Sequence, residues 1–319
     1  MRKLLLLFSV IALAACGGSD DAENPPRDVP VPRFLTVVVS ENPMQDENAS
    51  AREMTRAGGA TTTASLTAFK MVSSKNTTDE ILSFSKDGEG KWKSSDWPDT
   101  DATVSWYAHT DGTFIPNGDT PYLSFSVNDE VANQKDLLVS TAAGTYGGTG
   151  GNLSFTFSHA CSALRFYMKK AKNMSDYTLT VKSVKLKNVV KTGDYYFNTS
   201  KWELGTASTH STHSTHYTYY TLFTGSATLG TAVYTAMDTG EKPYVIVIPQ
   251  TLTAWSPATA LSNTYLELDC TISKDNTTLH SGTAYIPFAA TFEQGCQHNV
   301  KVNIGKNSLY KARDTKIIP

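Results

Sequence analysis

The strongest constraint on the fold is an alternation of apolar and polar side chains that recurs along much of the chain. Residues 153–158 read Leu-Ser-Phe-Thr-Phe-Ser, and residues 177–190 alternate apolar side chains with lysines and other polar residues. Because successive side chains of a strand point to opposite faces, a period of two predicts half-buried β-strands. Long segments with helical periodicity are scarce. The chain is therefore predicted to be all-β.

About 14 short strands are predicted, and the Gly- and Thr-rich residues 144–152 separate them into two groups. Residues 244–248 are entirely apolar and are predicted to form a central strand, which Pro249 ends. Short strands at regular spacing with turns between them are typical of β-sandwiches. With 319 residues the chain is long enough for two such domains, which we place at residues 33–149 and 150–319.

The first 15 residues have the parts of a lipoprotein signal peptide. Arg2 and Lys3 form a basic start, and the apolar run that follows is too short to cross a bilayer. Leu13-Ala14-Ala15-Cys16 resembles the lipobox of bacterial lipoproteins. We expect cleavage before Cys16, acylation of its thiol, and anchoring of the exported protein by lipid. The alternative is an ordinary secretory signal with a chance cysteine.

The segment after Cys16 is predicted to be a flexible tether. Residues 16–32 are polar and Pro-rich. Ser19-Asp20-Asp21-Ala22-Glu23 is an acidic cluster that resembles the surface-export signal of lipoproteins in the Bacteroides group. It predicts display at the outer-membrane surface. The alternative is a solvated acidic linker.

Composition and motifs argue against nucleic-acid binding and catalysis. The net charge is −2, 18% of the residues are charged, and no basic face or basic tail is visible in the sequence. A G-x-S-x-G elbow, an H-E-x-x-H pair and a P-loop are absent from the sequence. A Ser–His–Asp set stays open in a Ser-rich chain, but no segment marks one. We expect a protein that is not an enzyme and that needs no cofactor.

The remaining cysteines, Cys161, Cys270 and Cys296, are odd in number and allow at most one disulfide bridge. Cys161 lies in an apolar segment and is predicted to be a small core residue. A bridge between Cys270 and Cys296 stays open, because spacing does not fix connectivity.

Two further groups of residues could suggest metal binding. His210, His213 and His216 recur every third residue, which does not place them on one strand face, so a low-complexity loop is favoured over a Zn or Ni site. A second group lacks the order of a calcium loop and is predicted to serve in turns: Asp99, Asp101, Asp111 and Asp119. No metal site is expected.

Several segments, in this order, resemble the fimbrillin family of the Bacteroides group, the Mfa-like lipoprotein subunits of type V pili. They are Thr55-Arg56-Ala57, VSWYA at 104–108, KDLLVS at 135–140, LSFTFSHA at 153–160, VIVIPQ at 245–250 and FEQGCQHNVKV at 292–302. His298 stands where the family usually has an aromatic residue. The resemblance spans roughly residues 30 to 305. It implies two tandem transthyretin-like β-sandwiches in a fimbrial subunit that supports cell adhesion.

The resemblance also implies assembly by donor-strand exchange. An Arg-specific protease cuts the exposed loop after the first strand, and a strand of another subunit fills the groove that is left. We place the cut after Arg56, with Arg52 as the fallback, although both could be ordinary surface arginines. The displaced strand comprises Phe34, Leu35, Val37, Val38 and Val39.

The implied partners are other fimbrial subunits, the outer membrane through the lipid anchor, and surface receptors on host or bacterial cells. The tail at residues 308–319 could donate a strand or form an unpacked end. Stalk, tip and anchor subunits are not distinguished. The alternative function is a monomeric surface lipoprotein that binds glycans through tryptophan platforms drawn from Trp92, Trp97, Trp106, Trp202 and Trp255.

Overall fold

The structure is a computed structural model, and every residue it describes lies in one of the two compact units of the chain, residues 34–319. The described residues are 35–41, 45–46, 66–74, 81–94, 103–145, 151–205, 217–238, 240, 242–258, 261, 263–312 and 315–318.

Within these residues the chain forms 24 strands and three single-turn 3-10 helices. The first twelve strands are β1 Leu35–Glu41, β2 Gln45–Asp46, β3 Ala68–Ser73, β4 Leu82–Lys86, β5 Trp92–Ser94, β6 Thr103–His109, β7 Thr113–Ile115, β8 Tyr122–Ser126, β9 Leu138–Thr145, β10 Gly151–His159, β11 Ser162–Lys170 and β12 Thr178–Val190. The others are β13 Thr192–Tyr196, β14 Lys201–Leu204, β15 Tyr217–Thr228, β16 Thr235–Met237, β17 Val245–Val247, β18 Gln250–Leu252, β19 Tyr265–Lys274, β20 Thr277–Pro287, β21 Ala290–Phe292, β22 Cys296–Ile304, β23 Tyr310–Ala312 and β24 Thr315–Lys316. The helices are η1 Val131–Asn133, η2 Lys172–Met174 and η3 Lys306–Ser308.

The prediction of an all-β chain is confirmed, since the described residues contain no α-helix. It follows that this part of the chain has no helix of the length and apolarity that crossing a membrane requires.

A seven-stranded sheet has the order β1-β10-β9-β6-β3-β4-β5 and covers the smaller of two cores. The alternation at residues 153–158 works as predicted, because Leu153, Phe155 and Phe157 point inward and are at most 1% exposed. At the centre of this core, the ring centroid of Phe69 lies 5.0 Å from that of Phe84 and 5.3 Å from that of Phe157. Aromatic packing therefore dominates this core.

Two further sheets supply much of the larger core, to which the remaining sheets also contribute. One has the order β16-β11-β22-β2, with β17 also paired to β11, and the other has the order β15-β12-β19-β20-β23-β24. Along β12 the apolar side chains Leu179, Val181, Val184 and Leu186 of the predicted alternation are all buried, although the pairing of β12 with β15 shifts register three times. Phe166 of β11 and Phe288 meet inside this core at a centroid distance of 5.8 Å.

A four-stranded sheet takes strands from both sides of the predicted domain boundary. Its order is β14-β13-β8-β7, so residues 113–126 pair with residues 192–204. Strand β10 follows the boundary in sequence but pairs with β9 and belongs to the seven-stranded sheet. The division into residues 33–149 and 150–319 stays a prediction.

Strand β17 is fully buried, but the prediction that it is a central strand is wrong. Among the described strands it pairs with β11 alone. The amide of Ile246 instead donates to the side-chain Oε1 of Gln134 at 2.8 Å, and Lys242 Nζ donates to the Gln134 carbonyl at 2.7 Å. The side chain of Gln134 thus pairs a buried backbone N–H group of β17 that no neighbouring strand of the described residues reaches.

His109 lies fully buried at the point where the chain leaves β6 for β7. Its Nδ1–H donates to the carbonyl of Asp111 at 2.8 Å, and its ring stacks near Phe114 with the centroids 6.4 Å apart. Its Nε2 has no hydrogen-bond partner among the described residues. Burial lowers the pKa of His109 below its usual 6.5, and the nearby Lys70 lowers it further, against the opposing effect of the Asp111 carbonyl.

The lowered pKa of His109 predicts a loss of stability in mild acid. As pH falls below about 6.5, the unfolded chain binds a proton here and the folded chain does not, so the free energy of unfolding falls by up to about 1.4 kcal/mol per pH unit. Urea unfolding of the wild type and of His109→Phe at about pH 7 and about pH 5 measures this. The wild type must lose more stability than the variant, and equal losses would contradict the assignment.

Candidate functional site

The first two strands each lie at the edge of a sheet. β1 ends the seven-stranded order and pairs in parallel with β10, with Val37 opposite Leu153 and Val39 opposite Phe155. β2 ends the five-stranded sheet and pairs in parallel with β22, with Gln45 opposite Cys296. Residues 35–41 and 45–46 therefore each lie along a sheet edge, and each is held by a single ladder among the described strands.

The strand behind β1 provides the apolar wall of the smaller core. The inward side chains of β10 pack with Phe69, whose ring centroid lies 5.8 Å from that of Phe155. On its other side β10 pairs with β9. Loss of β1 would turn β10 into an edge strand with unpaired N–H and C=O groups.

Several hydrogen bonds fix the chain where it crosses from β10 to β11, and we call Ala160 and Cys161 the crossing. Trp202 Nε1 donates to the Ala160 carbonyl at 2.6 Å, and the amide of Gly295 donates to the Cys161 carbonyl at 3.0 Å. Gly295 has a φ of +68°, a left-handed conformation that favours glycine. These bonds tie β10 and β11 to β14 and to the start of β22.

A buried ion pair lies beside the crossing. Nδ1 of His159 contacts Oδ2 of Asp136, and the two side chains are 1% and 4% exposed. Burial raises the pKa of Asp136, while the hydrogen bond and charge of His159 oppose that rise. Nearby, the amide of Glu293 donates to Nε2 of His298 at 3.1 Å, and the His298 ring packs on Phe292. Segments 135–140, 153–160 and 292–302, which carried the resemblance, thus meet at one place.

The structure describes only part of the predicted site residues. Leu35, Val37, Val38 and Val39 lie in β1, at the sheet edge. The remaining predicted positions lie outside the described residues: Cys16, Phe34, Arg52, Arg56, His210, His213 and His216, with Trp97, Asp99 and Asp101.

None of the three described cysteines forms a disulfide bridge. Cys161 and Cys270 are buried and Cys296 is half-buried, so the bridge between Cys270 and Cys296 that spacing left open is not formed. Burial raises the pKa of the Cys161 and Cys270 thiols, the latter to about 12. Such thiols are unreactive core residues.

The described residues hold no group of three or more metal-ligating side chains. Asp111 serves a turn, as predicted, because its Oδ1 accepts from the amide of Gly112 at 2.8 Å.

The described tryptophans do not form an exposed platform. Trp106 and Trp255 are at most 2% exposed, and Trp92 and Trp202 are half-buried. The ring of Trp255 is enclosed by three tyrosines with centroids 5.9 to 6.0 Å away, Tyr265, Tyr285 and Tyr310. In this part of the chain, the glycan-binding alternative lacks the flat aromatic surface on which it depends.

The C-terminal tail is folded onto the body of its own chain. β23 pairs with β20, β24 pairs with β23, and Leu309, Ile317 and Ile318 are buried in the larger core. The expectation of an unpacked end is therefore wrong for residues 309–312 and 315–318. Donation of this tail to another subunit would first require it to detach.

Comparisons with known proteins agree with this fold. The family described as Fimbrillin-like matches residues 41–317. A crystal structure of a fimbrial protein from Bacteroides vulgatus has 16% identity, covers 86% of this chain and 96% of its own, and superposes with a TM-score of 0.51. A crystal structure of a proposed cell adhesion protein from Bacteroides ovatus has 14% identity, covers 86% of this chain and 93% of its own, and superposes with a TM-score of 0.46. No curated protein matches the chain. Likeness at such identities concerns the fold alone.

Removal of one partner of the ion pair beside the crossing should lower the free energy of unfolding. Asp136→Ala leaves His159 buried without its carboxylate and should lower the free energy of unfolding by about 3–5 kcal/mol. The matched control is Glu89→Ala, which removes the partner of Lys91 at a contact of 2.9 Å where both side chains are more than 70% exposed. The control should cost less than about 1 kcal/mol. Urea unfolding measures both, and similar losses would contradict a structural role for the buried pair.

Proposed function

Because the chain belongs to the fimbrillin-like family, we propose that it is a fimbrial subunit, a structural protein that supports cell adhesion. It is exported as a lipoprotein acylated at Cys16 and carried to the cell surface of the outer membrane. Its partners are other fimbrial subunits, which it joins by donor-strand exchange after proteolysis. In this role the chain is not an enzyme.

The observation that carries the proposal is the position of β1 and β2, residues 35–41 and 45–46, at the edges of two sheets. Each of β1 and β2 is held by one ladder, so its departure breaks pairing on one side only. A strand inside a sheet would lose two ladders. The two neighbours that would be uncovered, β10 and β22, are themselves held on their other sides by β9 and β11.

A strand from another subunit would restore what the departing strand removes. Backbone hydrogen bonds of the new ladder supply affinity, and alternate side chains supply specificity. Without such a strand, the exposed edge could pair with strands of unrelated chains and cause aggregation. The hydrogen bonds at the crossing support this scheme, because they hold β10 and β11 by contacts that involve neither β1 nor β2.

Cleavage is needed because a strand of another subunit cannot displace β1 or β2 while these strands are tethered to their own chain. While β1 and β2 stay covalently joined to the body, their effective concentration at the sheet edges is in the millimolar range, on the order expected for a short flexible linker. Arg52 and Arg56 fall between β2 and β3 in the sequence. Cleavage after Arg56 would separate the leading strands, and with them Cys16 and its lipid, from the assembled subunit.

The proposal is tested by the N-terminal sequence of this protein in filaments sheared from cells. We expect a start at Ala57. Arg56→Ala should leave a chain that still carries acylated Cys16 and should lower its incorporation by about a hundredfold, since the tethered strand keeps its place. Arg52→Ala is the matched control and should be processed and incorporated as the wild type.

An N-terminus other than Ala57 in the filament protein would change or contradict the proposal. A start at Glu53 would move the cut to Arg52 and exchange the roles of the two variants. Filaments built from chains that retain acylated Cys16 would contradict strand replacement. A chain found only as an acylated monomer would contradict the fimbrial role itself.

A further inference from the structure

Five lysines gather at the end of β11 and β22 that points away from the crossing, and we call them the basic end. They are Lys169, Lys172, Lys274, Lys301 and Lys306. The parallel pairing of β11 with β22 brings Lys169 opposite Asn303, two residues beyond Lys301. The amide of Ala171 donates to the Ile304 carbonyl at 2.8 Å, which joins the loop with Lys172 to the loop with Lys306.

Aromatic rings, rather than carboxylates, hold four of these lysines. The Nζ atoms of Lys169 and Lys301 lie 4.4 and 6.0 Å from the ring centroid of Tyr234. Those of Lys274 and Lys306 lie 5.7 and 5.0 Å from the ring centroid of Tyr177. Each ring therefore draws two ammonium groups together by cation–π attraction without neutralising either charge.

Few of the described acidic side chains offset the positive charge of the basic end. Among the described residues no carboxylate forms a salt bridge with any of the five lysines. The nearest acids in its loops are Asp176 and Asp275, both exposed. This concentration of positive charge contrasts with a chain whose net charge is −2. Such a surface attracts a partner that carries several negative charges.

A third pair of lysines over a tyrosine ring has its positive charge offset by a carboxylate. Lys185 and Lys187 lie 5.3 and 4.2 Å from the ring centroid of Tyr219. There, however, Glu267 approaches the two ammonium groups at 3.5 and 3.9 Å. The basic end lacks such a carboxylate.

We propose that the basic end binds an acidic polysaccharide through its repeated carboxylate or sulfate groups. The charges are spread over several loops, which suits a polymer better than a single small anion. Nucleic-acid binding would need aromatic faces free for base stacking, whereas lysines already cover both tyrosines. A membrane surface would need several exposed apolar anchors, and the large exposed apolar side chains described near this end are Val233 and Leu279.

The location of the basic end suits this role. β2 pairs with the start of β22, at Cys296 and Gln297, whereas the basic end lies at the other end of that strand. Strand replacement at the sheet edges would leave it open. The biological relevance of this binding rests on the proposed exposure of the protein at the cell surface, but the binding itself is a property of the purified chain.

The test measures binding of the purified full-length chain to immobilised polygalacturonate, which carries carboxylates, and to dextran sulfate. Neutral dextran and vesicles of phosphatidylcholine with phosphatidylglycerol serve as comparisons. We expect binding to at least one acidic polysaccharide and none to neutral dextran. Which polymer binds identifies the anionic group as carboxylate or sulfate.

Matched double variants locate the site. Lys169→Gln with Lys301→Gln should weaken binding about tenfold, while Lys185→Gln with Lys187→Gln should change it less than about twofold. Lys274→Gln with Lys306→Gln is a second variant of the basic end and should also weaken binding. Urea unfolding confirms that each variant is folded.

The proposal is overturned if neither acidic polysaccharide binds, if both kinds of double variant lose affinity equally, or if vesicles bind more tightly than the polysaccharides. Each of these outcomes leaves the filament experiment untouched. Failure of this inference is thus distinguishable from failure of the fimbrial role.

Discussion

The architecture depends on holding one stretch of chain, the crossing at Ala160 and Cys161, in a dry environment between sheets. The backbone there would be costly to bury without partners, and it finds them in Trp202, Gly295 and the neighbouring strands. Beside it, Asp136 and His159 are buried together, so each needs the other. The strands that leave the crossing, β10 and β11, are the same strands whose sheets end at β1 and β2.

This arrangement explains why segments far apart in the sequence together resemble one family. None of these segments contains a catalytic or ligand-binding pattern. KDLLVS supplies Asp136, LSFTFSHA supplies His159, VIVIPQ supplies the edge closed by Gln134, and FEQGCQHNVKV supplies Gly295 and His298. Their shared task is to hold together the strands that lie behind the edge strands β1 and β2. These residues join strands and pair buried polar groups, so a search for catalytic motifs would not find them.

The sequence predicts those elements whose signal is local. Alternation identifies β10 and β12, because one face of each packs on a core. It does not reveal β15, where Tyr and Thr occupy both faces, even though Tyr220 and Leu222 are buried. The apolar run at residues 244–248 indicates burial correctly but not position in the sheet, because a side chain of another segment closes its edge. The basic end escapes detection because its lysines are spread over residues 169–306 and meet only in the folded chain, through the pairing of β11 with β22 and at the ring of Tyr177.

The parallel orientation of β1 on β10 and of β2 on β22 has a consequence for any assembly that uses these edges. A strand that takes the place of β1 with the same orientation enters every subunit in the same sense. The contact is then heterologous, joining two different surfaces rather than one surface to itself. Repetition of such a contact gives a filament with direction, whose two ends are chemically distinct. Growth and termination would then be properties of different ends, set by the polarity of a single edge strand.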